Sequence, residues 1–257
     1  MKKIIKSVYF SLLLGLLFGI PANLYANNSE WNYSDDASGP KHWATISTEY
    51  SLCGNGKNQS PVNIDSKKTA DGQLSGIKFN YGLILPQKIE NTGKLIRVSV
   101  ASGKGTNINA NGVEFELKYL DFHIPSEHTL DGKHYPMEIQ FAHESKDKKL
   151  AYVSMMAVPG RLDRTLRKLL EQLPMKTGES NPLASNALRN TEMKKKLANY
   201  YHYSGSSTKP PCTEGAHWFI MKQPITISKE QYQNFKSAIK QDNNRPVQSL
   251  NARIIVE

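Results

Sequence analysis

Only two cysteines, Cys53 and Cys212, occur in 257 residues, so the chain has material for one bridge at most. In an exported chain the even count suggests that bridge; two free buried thiols or a metal pair are the other readings. Long apolar runs are also missing. The run from Val8 to Ile20 is thirteen residues, short of the ~20 that a helix needs to cross a bilayer. Lys2, Lys3 and Lys6 precede it, the basic-then-apolar order of a signal peptide, with cleavage expected after Ala26. Losing residues 1–26 removes three lysines and no acid, which lowers the formal net charge from +10 to about +7. The mature chain is expected to be exported, most simply to a bacterial periplasm, with no membrane span after leader cleavage. Internal repeats, low-complexity linkers and charge blocks that would mark a boundary are absent too, so one domain over 27–257 is expected. Lysines gather at Lys67–Lys68, Lys146–Lys149 and Lys194–Lys196, but without interleaved aromatics. A polyanion such as a glycosaminoglycan, lipopolysaccharide or nucleic acid would be held by simple electrostatics alone.

What the chain does have is alternation. Ile96, Val98 and Val100 point one way, Arg97 and Ser99 the other; Phe115, Leu117 and Tyr119 alternate with Glu114, Glu116 and Lys118. Met137 to His143 and Leu150 to Val158 read as inner strands. Helical spacing is confined to Leu162–Leu173, a stretch within Asn186–Asn199, and Lys229–Lys240. The pattern predicts a mainly β chain, a large and mostly antiparallel sheet with short surface helices.

Five blocks then resemble, in order, the α-class carbonic anhydrases. They are WNYSDDASGPKHW (Trp31 to Trp43), GKNQSPVNI (Gly56 to Ile64), YLDFHIPSEHTLDGKHYPMEIQFAH (Tyr119 to His143), GSSTKPPCTEGAHW (Gly205 to Trp218) and NNRPVQSLNAR (Asn243 to Arg253). The resemblance implies a central twisted ten-stranded sheet and a Cys53–Cys212 disulfide. It also implies three strand-borne zinc ligands at positions that here read Asp121, His123 and Gln140. Side chains at i and i+2 share a strand face, so Asp121 and His123 point into one cavity, and Gln140 joins them from a neighbouring strand.

A catalytic zinc of this class needs three neutral imidazoles and an open position. Aspartate can bind zinc, but a carboxamide is a weak, hard donor, and a carboxylate beside the bound water raises its pKa. The neighbouring positions change as well. Tyr119 stands where the family has a Gln that orients the first ligand, and its phenol is placed to donate to Asp121. Glu138 is retained at the position that orients the third ligand. Lys94 replaces the proton-shuttle His, and a lysine with ordinary pKa does not relay protons at pH 7. Tyr152 fills the small substrate-pocket position, with Ala142 opposite. Glu127 and Thr208, which orient the zinc-bound hydroxide in relatives, are both kept; His128 and His143 match structural positions. Lys209 lines the cavity, where its ammonium can reach Asp121 or Glu127 and supply the cation that a buried carboxylate requires. His123 then becomes a hydrogen-bonded relic.

Taken together, the resemblance implies an exported protein of the family without efficient carbon dioxide hydration and without a cofactor, retained for binding or another role. Two alternatives stay open: an atypical zinc carbonic anhydrase with a non-standard ligand set, and a surface protein that binds polyanions or glycans. Homodimers occur among bacterial relatives, and the sequence names no partner.

Overall fold

The alternating stretches pair into one large sheet. The computed structural model describes residues 30–257 apart from 73–76, 82–83, 104, 185–187, 189–196 and 198. The leader expected at 1–26, nearly all of the helical stretch expected within Asn186–Asn199 and the Lys194–Lys196 cluster lie outside the described residues. In chain order the strands are β1 (Asn63–Ile64), β2 (Lys78–Asn80), β3 (Pro86–Asn91), β4 (Ile96–Val100), β5 (Asn107–Ala110), β6 (Val113–His123) and β7 (Thr129–Leu130). They continue with β8 (Lys133–His134), β9 (Met137–Ser145), β10 (Leu150–Pro159), β11 (Ser180–Pro182), β12 (Tyr200–Ser206), β13 (Glu214–Met221) and β14 (Ile225–Ile227).

Eleven of these form the main sheet, in the order β11-β3-β4-β6-β9-β10-β13-β12, with β5 on β6, β2 on β5 and β14 on β10. That is one strand more than the ten expected; three members are only three residues long, the length at which a strand count turns on single ladder bonds. Pairing is antiparallel except where β10 meets β13 and β14. A small sheet of β1, β7 and β8 stands apart.

Each face of the sheet carries its own core. Ile96, Val98, Phe115, Leu117, Leu120, Phe122, Phe141 and Phe219 belong to the larger one. Ala142, Tyr152, Tyr203, Trp218 and Ile220 form the other, with Tyr119 packed against it. The helix Arg164–Leu170 is capped by Asp163, whose carboxylate accepts from the backbone of Thr165 and Leu166. A second helix, Lys229–Ile239, starts in a capping box of Ser228 and Gln231. Both fall within the stretches that the helical spacing indicates.

The expected alternation fails at one place. Tyr119 does not share a face with Phe115 and Leu117, because the β6–β9 register shifts between Leu117 and Tyr119. A bulge adds one residue to a strand and flips everything beyond it. Leu120 and Phe122 therefore continue the larger core, and Tyr119, Asp121 and His123 are delivered together to the opposite face.

Candidate functional site

Three central strands set the site by register. On β6, Asp121 is paired with Arg97 of β4 on one side and with Gln140 of β9 on the other; His123 is paired with Glu138. Cross-strand partners stand about 4.5–5.5 Å apart at Cβ, so these five side chains meet on one face. All but Arg97 are fully or almost fully buried.

Asp121 is the electrostatic centre. Arg97 grips it with two hydrogen bonds, Nε to Oδ1 at 2.7 Å and Nη2 to Oδ2 at 2.8 Å. Lys209 donates to Oδ2 from the loop after β12. Burial alone would raise the pKa of this carboxyl, but Lys209 and Arg97 outweigh it and hold the group well below the carboxylate range. The sequence reasoning reached Lys209 and missed Arg97. The available signal was its place on the non-core side of β4, but matching it to Asp121 needs the inter-strand register.

His123 accepts no zinc-like role from its neighbours. Its Nδ1 is 2.7 Å from the carbonyl of Asn243, to which it donates, and its Nε2 is buried without a partner. Gln140 turns its amide NH2 to Glu127 (2.7 Å) and Glu138 (3.1 Å), which leaves its Oε1 unpartnered. The Glu127–Thr208 arrangement is where expectation and geometry part. Glu127 accepts from Gln140 and from the backbone N–H of Arg245 at 2.9 Å, while the Thr208 hydroxyl is buried with no partner. The Gln140 amide has taken an acceptor that a hydroxyl would otherwise use.

Glu138 anchors the floor. It accepts from the backbone N–H groups of Glu127 and His128, from Ser154, and from His128 Nδ1 at 2.8 Å. Burial opposes its charge, yet His128 and these donors bring its pKa down to about 2. His128 passes the chain on to Tyr203 at 2.6 Å, and Tyr203 donates to Ser60. His143 sits apart, buried and parallel to Tyr81, whose hydroxyl is 2.6 Å from Nε2.

Tyr119 does not bond Asp121 as its position suggests. Its ring lies under the Arg97 guanidinium at 3.9 Å, and its hydroxyl is engaged with Tyr152. Burial, then the Asp121 charge, push its pKa up to about 12. Tyr152 is buried, faces Ala142 across the β9–β10 ladder and stacks on Trp218 at 4.4 Å. Lys94 stands off from these groups, its ammonium over the ring of Trp31 at 5.4 Å. The Cys53–Cys212 bridge is formed, and Cys212 donates its backbone N–H to the carbonyl of Lys209. Among the lysine clusters, Lys68 pairs with Asp65 and Lys148 with Glu144, which divides the positive charge.

Residues 38–257 match the family model for eukaryotic-type carbonic anhydrase. The chain belongs to that family. A carbonic anhydrase of Neisseria gonorrhoeae is 35% identical over 250 residues, 96% of this chain and 95% of that one. The α-carbonic anhydrase of Thermovibrio ammonificans, solved with the inhibitor sulfanilamide, superposes with a TM-score of 0.81 at 36% identity, over 89% of this chain and 99% of its own. Dioscorin, solved in complex with ascorbate, gives 0.78 at 32%, over 88% and 97%.

Carbonic anhydrases of this class use zinc, and the donor atoms here do not fit it. His123 Nε2 is a free imidazole lone pair, and Gln140 Oε1 is a free but hard carbonyl oxygen. Both oxygens of Asp121 are committed to a guanidinium and an ammonium. A zinc ion would have to enter against those two positive charges and displace them. Among the described residues no group of three or more His, Cys, Asp or Glu is arranged to hold a metal.

Proposed function

We propose that this chain is an exported member of the carbonic anhydrase family in which an internal ion cluster, Arg97–Asp121–Lys209, takes the place of the catalytic metal. Carbon dioxide hydration is lost and the scaffold serves as a binding protein. The observation that carries this reading is the capture of Asp121 by two cations. Hydration in this class depends on a metal-bound hydroxide, and that step has no equivalent here. Tyr152 stacked in the substrate-pocket position and Lys94 turned onto Trp31 support the same conclusion. The bacterial relatives, the disulfide and the basic-then-apolar start of the chain support export. Among the described residues no helix is long and apolar enough to cross a membrane.

One observation favours the alternative of an atypical zinc enzyme: His123 Nε2 and Gln140 Oε1 are both free. The two readings separate in a single preparation. Protein purified without chelator is assayed for zinc and for carbon dioxide hydration, beside an active carbonic anhydrase. We expect neither stoichiometric zinc nor hydration above the buffer rate. One zinc per chain with sulfonamide-sensitive hydration would overturn the proposal.

A further inference from the structure

The far side of the sheet carries two histidines that the site does not use. His202 on β12 stands opposite Phe219 of β13, and His217 stands opposite Ser204, so the two are diagonal neighbours across one antiparallel ladder. Their rings are 5.7 Å apart between centroids and 15° from parallel. Phe219 lies 4.8 Å from His202 and Phe115 lies 5.9 Å from His217, and both phenylalanines belong to the core opposite the Asp121 face. Trp218 and Tyr203, the strand neighbours of these histidines, face the other way.

Both rings are partly exposed. Among the described residues no ring nitrogen of either is hydrogen-bonded, and the two rings stand against an apolar floor of Phe115 and Phe219. Burial, and then the neighbouring ring, lower His202 to about 4; burial, and then Lys149, lower His217. Near neutral pH the pair is uncharged, the form in which imidazole binds metal.

We propose that His202 and His217 form a two-imidazole clip for a transition-metal dication, copper(II) above all, with solvent completing the coordination. A metal about 2.0–2.1 Å from one nitrogen of each ring sets the ring centroids roughly 5–6 Å apart, the separation found here. The rings are near parallel and an imidazole lone pair lies in its ring plane, so binding requires them to turn about χ2 out of that arrangement, and that torsion is soft. Copper(II) heads the affinity order for such ligands. Lys149 is a neighbouring cation that opposes a dication at this place, and among the described residues no carboxylate acts on either histidine to offset it, so binding is expected to be moderate.

The test is titration of the full chain with copper(II) alone in a non-coordinating buffer, followed by calorimetry and electron paramagnetic resonance. We expect one ion per chain with a two-nitrogen imidazole signature. His202→Asn and His217→Asn should each weaken binding about tenfold or more and remove that signature. Lys149→Gln should tighten it by roughly two- to fivefold. Thermal melts of the metal-free variants confirm that each is folded. Binding and signature unchanged in both histidine variants would mean an aromatic stack only. Loss in His134→Asn but not in these two would place the ion elsewhere; either result sinks the proposal. Zinc content at the Asp121 position is a separate measurement, so the clip stands or falls independently of the proposed function.

Discussion

Lys209 is the side chain on which the interior charge of Asp121 most depends. Its own side chain is 9% exposed while that of Arg97 is 31% exposed, so Lys209 is the better-shielded partner. Removing one cation from a buried carboxylate leaves part of its desolvation uncompensated. Lys209→Thr should therefore lower unfolding stability by about 1–3 kcal/mol, less than complete loss of pairing because Arg97 remains. Urea denaturation would show this as a lower midpoint at unchanged slope; an unchanged midpoint would mean that the pair contributes nothing. His143 is buried as an uncharged group. Burial holds its pKa at about 3, so the folded chain resists a proton that the unfolded chain takes up near 6.5. Between those values the unfolded state binds more protons, and stability falls as the pH falls, by at most about 1.4 kcal/mol per unit. Below about 4, protonation of unfolded Asp121 adds to the loss, since its folded pKa is depressed. Melting temperature followed from pH 7 to 5 should decline, and His143→Gln should make the decline shallower, with His202 and His217, also lowered by burial, carrying part of the rest; parallel profiles for the two proteins would rule out His143 as a source.

Strand β6 shows how much of the site could be read in the sequence. Period-two alternation locates β4, β6, β9 and β10 and puts Asp121 with His123, because those are local properties of a pleated chain. The motif resemblance supplies the neighbouring strand for Gln140. The bulge at Lys118 was not legible: alternation from Phe115 runs on to Tyr119 without a break, and only the β9 partner reveals the shift. Arg97 was missed for the same reason, since register is a relation between strands. The retained Glu127 and Thr208 were legible as residues but not as a hydrogen bond, because Gln140 redirects Glu127. The bulge is testable as an element. Deleting Lys118 removes the extra residue and sets Tyr119 directly after Leu117, opposite Ala142 and His143 respectively, so every residue beyond keeps its partner and Asp121 stays on the site face. We expect the deletion variant to fold, with a near-native circular dichroism spectrum. An insoluble or unfolded variant would show that β6 needs the extra residue itself and not only the pairing it leaves.

At the scale of the molecule, one covalent link ties the N-terminal segment to the loop that carries Lys209. Cys53 and Cys212 are 159 residues apart. Closing so long a loop restricts the unfolded chain by up to about 5 kcal/mol in the chain-entropy treatment. Arg245 fastens the same region from a third direction, donating to the carbonyls of Cys53 and Ser60 and to the Gln59 side chain, while its backbone N–H holds Glu127. Gln59 in turn donates to the carbonyl of Cys212. Because Lys209 accepts the Cys212 N–H through its own carbonyl, release of the bridge should loosen the Lys209 end of the ion cluster as well as destabilise the whole chain. A Cys53→Ser, Cys212→Ser double variant should therefore lose several kcal/mol of stability, and adding Lys209→Thr to it should cost less than Lys209→Thr costs in the bridged protein. Additivity of the two effects within about 0.5 kcal/mol would show the bridge and the ion cluster to be independent. A shortfall would place the disulfide among the groups that hold Lys209 against Asp121.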